Sequence, residues 1–205
     1  NETYYNTNQI VTISITERNF NPENVVFEIN NVAVNITNWT ATGDEDNTIY
    51  VGSYEISEDG DYYYSIKFTD MAGNDAVSFS QDKFTVDKTE PVINTNFGEF
   101  SNGESNYFGS DSMNKTAHIT IIEHNFTPEQ ANVEILKKSS GSSHDSDAME
   151  SVRSFVWSAN GDEHSLDISF NEGDDGVYQI RISPIDLANN PAETVVSPIF
   201  EIDYT

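Results

Sequence analysis

The chain has 205 residues and carries 35 acidic against 9 basic side chains, a formal net charge of −26 at neutral pH. This balance excludes nucleic acid and anionic lipid as partners, because phosphate groups are bound by clustered lysine and arginine. Cysteine is absent, so disulfides, zinc–thiolate sites and thiol catalysis are excluded. No apolar run approaches the roughly 20 residues of a membrane span, and we expect no direct membrane insertion.

The sequence is an internal duplication. Four blocks return in the same order: residues 17–23 as 123–129, 39–45 as 157–163, 59–62 as 175–178, and 70–74 as 186–190. A repeat of about a hundred residues has the size of a domain and is too long for a solenoid unit. We therefore predict two domains, residues 1–89 and 90–205, joined by a short junction that contains one proline.

Apolar and polar residues alternate in both repeats. Tyr62, Tyr64 and Ile66 alternate with polar residues in the first repeat, and Tyr178 and Ile180 do so in the second. This period of two predicts half-buried antiparallel strands. Short strands separated by Gly, Asn and Asp turns, with no amphipathic helix between them, predict an all-β fold built from sandwiches.

Each repeat also contains one helix-like signal, a proline that follows a capping residue. Asn21-Pro22 and Thr127-Pro128 are both followed by glutamate. Proline suits the first helical position, and an acidic residue is favourable at the positive end of a helical turn. We predict one short helical turn at each place, with the preceding phenylalanine packed against it.

The two repeats differ at two places. The first has no residues that match 90–106, so we expect it to lack its first strand; Tyr4 and Tyr5 either take that place or leave a bare sheet edge. The second carries a Ser/Gly/Asp-rich insertion near 137–150, where the first makes a tight turn. We predict a flexible surface loop there, which is either neutral or the place where specificity lies.

Three motifs between residues 59 and 91 resemble a known family: Asp-Gly-x-Tyr, Asp-x-Ala-Gly-Asn and Phe-x-Val-Asp-Lys-Thr-x-Pro. They are similar to the C-terminal half of bacterial immunoglobulin-like domains of the group 3 type, the tandem modules of Gram-positive cell-surface proteins. The resemblance covers nearly the whole chain, twice. It implies two tandem immunoglobulin-like antiparallel β-sandwiches, in which Tyr62 and Tyr178 correspond to the tyrosine corner of that fold.

Two tryptophans recur at equivalent positions, Trp39 and Trp157. A sugar-binding platform is one interpretation, but recurrence in both repeats fits a tryptophan packed in the sandwich better. The tyrosines that could stack on a glycan from an exposed position are Tyr5, Tyr50, Tyr63 and Tyr107.

Calcium is the one cofactor that the sequence leaves open. Asp70 with Asn74, and Asp186 with Asn190, offer oxygen ligands at the turn before the last strand. The alternative is an Asx-type turn, in which the carboxylate accepts local backbone N–H groups. The second interpretation is favoured, because both repeats keep the residues that set the turn geometry.

No catalytic constellation is evident. The 4 histidines all lie in the second repeat, and no pair has metal-ligand spacing on one predicted element. A nucleophile-elbow pattern is absent, and paired carboxylates carry no weight in so acidic a chain. We therefore expect a protein that is not an enzyme.

The resemblance implies an extracellular location, at the cell surface or in a secreted protein. We expect a non-catalytic structural or adhesive module, a monomeric stalk or spacer segment of a larger bacterial surface protein. Its expected partners are neighbouring immunoglobulin-like modules of the same chain, with a host glycan or protein as a further option. The alternative is a carbohydrate- or protein-binding accessory module of a secreted or wall-anchored enzyme.

Overall fold

The computed structural model of the chain describes residues 3–44, 47–101, 107–109, 115–138 and 155–205. The chain forms two compact units, Asn1–Thr89 and Glu90–Thr205. Each unit contains two facing β-sheets, so the predicted all-β fold of two immunoglobulin-like sandwiches is confirmed. No helix in the described ranges is long and apolar enough to span a membrane.

The described residues of the first unit form eight strands in two sheets. One sheet has the order β1-β8-β7-β3-β4, and the other has the order β2-β6-β5. The strands are β1 (Thr3–Tyr5), β2 (Gln9–Thr16), β3 (Val25–Ile29), β4 (Val32–Val34), β5 (Thr40–Thr42), β6 (Ile49–Ile56), β7 (Gly60–Phe68) and β8 (Phe79–Val86).

The second unit has a similar arrangement, with one strand added and with no counterpart of β4 among its described residues. One sheet has the order β10-β17-β15-β12, with β16 beside β15, and the other has the order β9-β11-β14-β13. The strands are β9 (Val92–Asn96), β10 (Tyr107–Phe108), β11 (Lys115–Ile122), β12 (Val133–Lys138), β13 (Ser158–Asn160), β14 (Glu163–Phe170), β15 (Gly176–Ile182), β16 (Val195–Val196) and β17 (Phe200–Ile202).

The addition is the strand β9. It pairs antiparallel with β11, whose other edge pairs with β14. Its counterpart in the first unit would lie beside β2, which pairs with β6, and among the described residues no strand pairs with the other edge of β2. Tyr4 and Tyr5 do not take that place, because Thr3–Tyr5 pairs with β8 in the opposite sheet.

Within the described residues, each unit contains one parallel strand pair. β1 pairs with β8, and β10 pairs with β17 in the same manner. The other strand pairs are antiparallel, as the alternating pattern predicts. Both predicted helical turns are confirmed as short 3-10 turns, Pro22–Asn24 and Pro128–Gln130, and the side chain of Asn21 caps the first of them.

The alternating residues form the cores. In the second unit Tyr178, Ile180 and Ile182 on β15 are buried against the opposite sheet. In the first unit Tyr62, Tyr64 and Ile66 point to the same interior but are only half-buried. The core of the first unit is therefore less completely covered than that of the second.

A two-residue turn joins β3 to β4 in the first unit. Asn30 and Asn31 form it with φ values of 50° and 62°, a conformation that asparagine adopts more readily than most residues. In the second unit β12 ends at Lys138. Most of the insertion predicted near 137–150 lies outside the described residues.

Candidate functional site

The tyrosine corners hold the turn that precedes β7 and β15. The Tyr62 hydroxyl donates to the carbonyl oxygen of Glu58 at 2.8 Å, and the Tyr178 hydroxyl donates to that of Asp174 at 2.7 Å. Burial, and then the negative charges of nearby acids that include Glu58, raise the pKa of Tyr62 above its ordinary value. The hydroxyl therefore stays protonated and remains a donor at neutral pH.

Each corner also needs its glycine. Gly60 and Gly176 have φ values of 155° and 150°, which L-residues with a side chain rarely adopt. The repeated Asp-Gly-x-Tyr sequence is thus explained by backbone conformation and by one hydrogen bond, without any need for a ligand.

The first calcium candidate pair closes its own turn. Asp70 Oδ1 accepts hydrogen bonds from the backbone N–H groups of Ala72 at 2.8 Å and Asn74 at 2.7 Å, and its Oδ2 accepts from the Asn74 side-chain amide at 2.8 Å. The side-chain amide of Asn74, and then its backbone N–H, lower the pKa of Asp70. The carboxylate is held as an anion by protein donors, which is the chemistry of an Asx-type turn.

The second candidate pair has the same bonds. Asp186 Oδ1 accepts from the backbone N–H of Asn190 at 2.8 Å, and its Oδ2 accepts from the Asn190 side-chain amide at 2.7 Å. In both turns the asparagine presents its amide N–H₂, not its carbonyl oxygen, to the aspartate. These hydrogen bonds explain why the aspartate and the asparagine recur in both repeats. A calcium role for either pair stays a prediction.

The second turn has an acidic neighbour that sequence reasoning missed. Glu123 and Asp186 are both buried, and carboxylate oxygens of the two lie within 4.8 Å of each other. Glu123 Oε1 also accepts the backbone N–H of Asn125 at 2.6 Å. Two carboxylate oxygens at this separation could both contact a calcium ion, whose Ca–O distances are about 2.3–2.6 Å. Glu123 lies in the repeated block 123–129 and Asp186 in the repeated block 186–190, but only the fold brings their two turns together.

Both tryptophans pack in aromatic groups at the start of a short edge strand. Trp39 contacts the ring of Phe20 edge-on at a centroid distance of 5.0 Å, and Trp157 contacts Phe126 in the same way at 5.0 Å. The Trp39 indole N–H donates to the carbonyl oxygen of Ile36 at 3.1 Å. Each indole is half-buried against its core, which fits packing in the sandwich better than a flat sugar platform.

The other stacking candidates are scattered. Tyr107 is 72% exposed on β10, Tyr63 is exposed on β7, and Tyr5 packs edge-on against Phe84. Tyr50 is half-buried and stacks on Phe20. In the described part of the first unit no ring contact joins Tyr5, Tyr50 and Tyr63 to one another, and Tyr107 belongs to the second unit.

The first unit contains an open groove beside the bare edge of β2. Its volume is about 580 Å³, and residues 11–17 form one wall. The opposite wall comes from β7 and the segment that leads into β8, with Tyr64, Ile66, Phe68, Val77 and Phe79. Three acids, Glu17, Asp70 and Asp75, also line it. The surface is thus an apolar groove with an acidic margin.

The strand order places each unit in the immunoglobulin-like class. The order β9-β11-β14-β13 is that of strands A, B, E and D, and β12-β15-β17 is that of strands C, F and G. The first unit has the same order without strand A among its described residues.

No protein-family model and no curated protein matches the chain. Among solved structures, it is similar to the titin I-band fragment I67-I69, with 13% identity and a TM-score of 0.34 over 98% of this chain and 63% of that one. It is also similar to an E-to-A variant of the same three domains, with 12% identity and a TM-score of 0.33 over 100% of this chain and 62% of that one. The titin tandem A164-A165 gives 10% identity and a TM-score of 0.33 over 100% and 91% of the two chains.

The chain thus spans less than two thirds of the two three-domain titin structures.

Proposed function

We propose that this chain is a non-catalytic mechanical spacer, a stalk segment of an extracellular bacterial surface protein. The observation that carries the proposal is the parallel strand pair within each unit, which joins an early strand to the last one. β1 lies parallel to β8 with Tyr4 opposite Thr85, and β10 lies parallel to β17 with Phe108 opposite Ile202.

This pairing determines how a unit responds to tension. In a parallel pair, the start of one strand and the end of the other lie at opposite ends of the shared ladder. Tension applied to the two ends of a unit therefore loads these inter-strand hydrogen bonds in shear, and they must break together. A hairpin pulled open from its ends breaks its bonds one at a time, at lower force.

The side chains that recur between the units support a scaffold role. The tyrosine corners bond to their own backbone, and Asp70 and Asp186 bond to their own turns. The side chains that the two units share are thus ones that stabilise the sandwich itself. The extracellular bacterial setting, with a Gram-positive source, is part of the proposal and is supported by the resemblance of the repeated motifs to surface modules.

Single-molecule pulling tests the proposal. The full chain is held at residues 1 and 205, and two unfolding steps are expected, one per unit. Tyr5→Pro removes a backbone donor from the β1–β8 ladder, because the Tyr5 carbonyl oxygen accepts from the N–H of Asp87 and the N–H of the same residue faces the same strand. It is expected to lower the force of one step. Val34→Pro makes the same kind of change on the edge strand β4, outside the path of the force, and is the matched control.

Thermal unfolding of both variants shows whether a lower unfolding force reflects a weaker β1–β8 pair or a general loss of stability. The spacer proposal expects Tyr5→Pro to lower the unfolding force more than Val34→Pro does at comparable melting temperature. Equal forces in the two variants, or wild-type steps no stronger than those of a hairpin, would contradict it. The accessory-module alternative is tested by a glycan array with the full chain, where saturable binding of one glycan class that Tyr107→Ala abolishes would favour it.

A further inference from the structure

The residues that follow the last strand of each unit are 87–89 after β8 and 203–205 after β17, and we call them the trailing segments. The first residue of each segment donates its backbone N–H to the strand that lies parallel to the last one, at 2.8 Å in the first unit and 2.9 Å in the second. The remaining residues of both segments lie outside the strands. Side chains hold them in place there.

The trailing segment of the first unit is bound to the turn between β6 and β7. The Thr89 hydroxyl donates to Asp59 Oδ2 at 2.6 Å, and the Thr89 N–H donates to Asp87 Oδ1 at 3.1 Å. The Lys88 ammonium group donates to the carbonyl oxygen of Ser57 in the same turn. Since β6 belongs to the sheet that faces β8, the segment is tied to the opposite sheet.

The trailing segment of the second unit is held at the corresponding turn. The Tyr204 N–H donates to Asp175 Oδ1 at 2.6 Å, and the Thr205 N–H donates to Asp203 Oδ1 at 3.2 Å. The Tyr204 hydroxyl donates to the carbonyl oxygen of Phe170 at 3.1 Å. Phe170 is the last residue of β14, which lies in the sheet opposite to β17. This segment is therefore also tied to the opposite sheet.

The two segments reach the same place with different chemistry. Strand pairing matches Ile56 with Phe170, because each lies opposite the first residue of the preceding long strand. Lys88 therefore bonds one residue beyond the position that Tyr204 bonds. An ammonium group and a phenol hydroxyl are both donors, and a carbonyl oxygen accepts either. A contact that different residue types make in the two units is not explained by sequence similarity alone.

The aspartate of the Asp-Gly-x-Tyr motif is the acceptor in both units. Asp59 and Asp175 each accept a hydrogen bond from the trailing segment, while the tyrosine of the same motif bonds to the residue just before the aspartate. A hydrogen bond to a carboxylate is stronger than one between neutral groups. The Lys88–Asp59 ion pair adds little, because its atoms are 3.9 Å apart and both side chains are partly exposed.

We propose that Asp59 and Asp175 are the acceptors of a mechanical latch, which ties the end of the last strand to the opposite sheet. The inference rests on the spacer function proposed above and adds the point where force enters each unit from its C-terminal side. Without the latch, tension on the trailing segment peels the last strand from its antiparallel neighbour, β7 or β15, one hydrogen bond at a time. With the latch closed, the turn before that neighbour carries part of the load, and the parallel pair is loaded in shear.

Two threonine variants of the full chain test the latch. Thr89→Val removes the hydroxyl and keeps the shape of the side chain. The matched control is Thr69→Val, because the Thr69 hydroxyl makes the same kind of bond, to Asp75 Oδ1 at 2.6 Å, at the other end of β7. When the chain is pulled at residues 1 and 205, we expect Thr89→Val to lower the force of one unfolding step and Thr69→Val to leave both steps unchanged.

Amide hydrogen exchange measures the same contact without force. In Thr89→Val the N–H groups of Asp87 and Thr89 should exchange about fivefold faster or more, the factor expected from the loss of one hydrogen bond. In Thr69→Val their exchange should stay as it is in the unmodified chain. In the second unit Tyr204→Phe removes only the bond to Phe170, and the N–H of Asp203 should respond in the same way.

Equal forces and equal exchange rates in the two threonine variants would overturn the latch. Faster exchange in Thr89→Val with an unchanged unfolding force would also overturn it, because the segment is then bound without carrying load. If Tyr5→Pro still lowers the force more than Val34→Pro in either case, the spacer function is not what failed. Equal forces in those two proline variants would instead contradict the spacer function.

Discussion

The rings of Phe126 and His164 stack with their centroids 4.1 Å apart and their planes 18° from parallel. In the first unit Phe20 and Tyr50 stack at the same place with the same separation of 4.1 Å. The imidazole Nε2 also lies 3.0 Å from the carbonyl oxygen of Glu123, which can only accept, so this nitrogen carries the proton. His164 is therefore a packed aromatic residue.

We predict that His164→Tyr is tolerated and that His164→Ala is not. Tyrosine keeps the stacked ring, whereas alanine loses both the ring contact and the hydrogen bond to Glu123. The free energy of unfolding of the second unit should fall by about 1–3 kcal/mol for alanine and by less than about 1 kcal/mol for tyrosine. Urea unfolding in a Trp39→Phe background measures this, because Trp157 then reports on the second unit alone. An equal loss of unfolding free energy in the two variants would show that the stacked ring does not stabilise the second unit.

Removal of the corner hydroxyl should weaken the second unit more than the first. Tyr178→Phe leaves the carbonyl oxygen of Asp174 without its donor next to a buried ring, and should cost about 1–2 kcal/mol. Tyr62→Phe makes the same change at a half-buried ring, where water can replace the lost donor, so its cost should be smaller. Each variant is measured with only the tryptophan of its own unit retained. A larger effect at Tyr62 would be evidence against the role of burial.

The Asp70 turn should make the first unit sensitive to acid. Hydrogen bonds from Asn74 lower the pKa of Asp70 in the folded state below its ordinary value. A lowered folded pKa stabilises the folded state above the unfolded value, and this contribution is lost as the pH falls through the folded pKa. Asp70→Asn should therefore weaken the first unit at pH 7 and make little difference at pH 2.

The control for this prediction is Asp82→Asn, which neutralises an exposed acid on β8. Thermal unfolding of both variants is followed by Trp39 fluorescence across the pH range. An Asp70→Asn effect that stays the same at pH 2 and pH 7 would rule out the carboxylate as its cause.

Removal of calcium should leave the first unit unchanged. Both oxygens of Asp70 already accept hydrogen bonds from the protein, and Asn74 presents an amide N–H₂ group to them. We expect the same melting temperature for the first unit in excess calcium and in EDTA, measured in a Trp157→Phe background. A calcium-dependent rise that Asp70→Asn removes would establish this turn as a cation site.

The sequence was sufficient for the elements that local chemistry defines. Alternation located β7 and β15, the Asn21-Pro22 pair located a capped turn, and the repeated Asp-Gly-x-Tyr motif marked the place of the corner hydrogen bonds. Each of these features depends on residues within a few positions of each other. They are therefore visible without knowledge of the fold.

Features that depend on strand pairing were not predictable. The Gly-Asp-Glu sequences after Trp39 and Trp157 match in the sequence, yet Glu163 lies in β14 opposite Ile122, while the residue opposite Thr16 is Ile49. The matched sequences thus begin turns of different lengths. The proximity of Glu123 to Asp186 escaped prediction for the same reason, because it is produced by two turns that lie far apart in the sequence.

The tight turn at Asn30 and Asn31 has a practical consequence. It joins β3 to β4, and β4 is an edge strand that pairs only with β3 in the described part of the first unit. By strand pairing Ile135 corresponds to Ile29, and the second unit has twelve more residues than the first between this point and the matching tryptophan, Trp157 against Trp39. The fold therefore accommodates a longer connection at this point, and the turn at Asn30 and Asn31 offers a position for display of a foreign peptide.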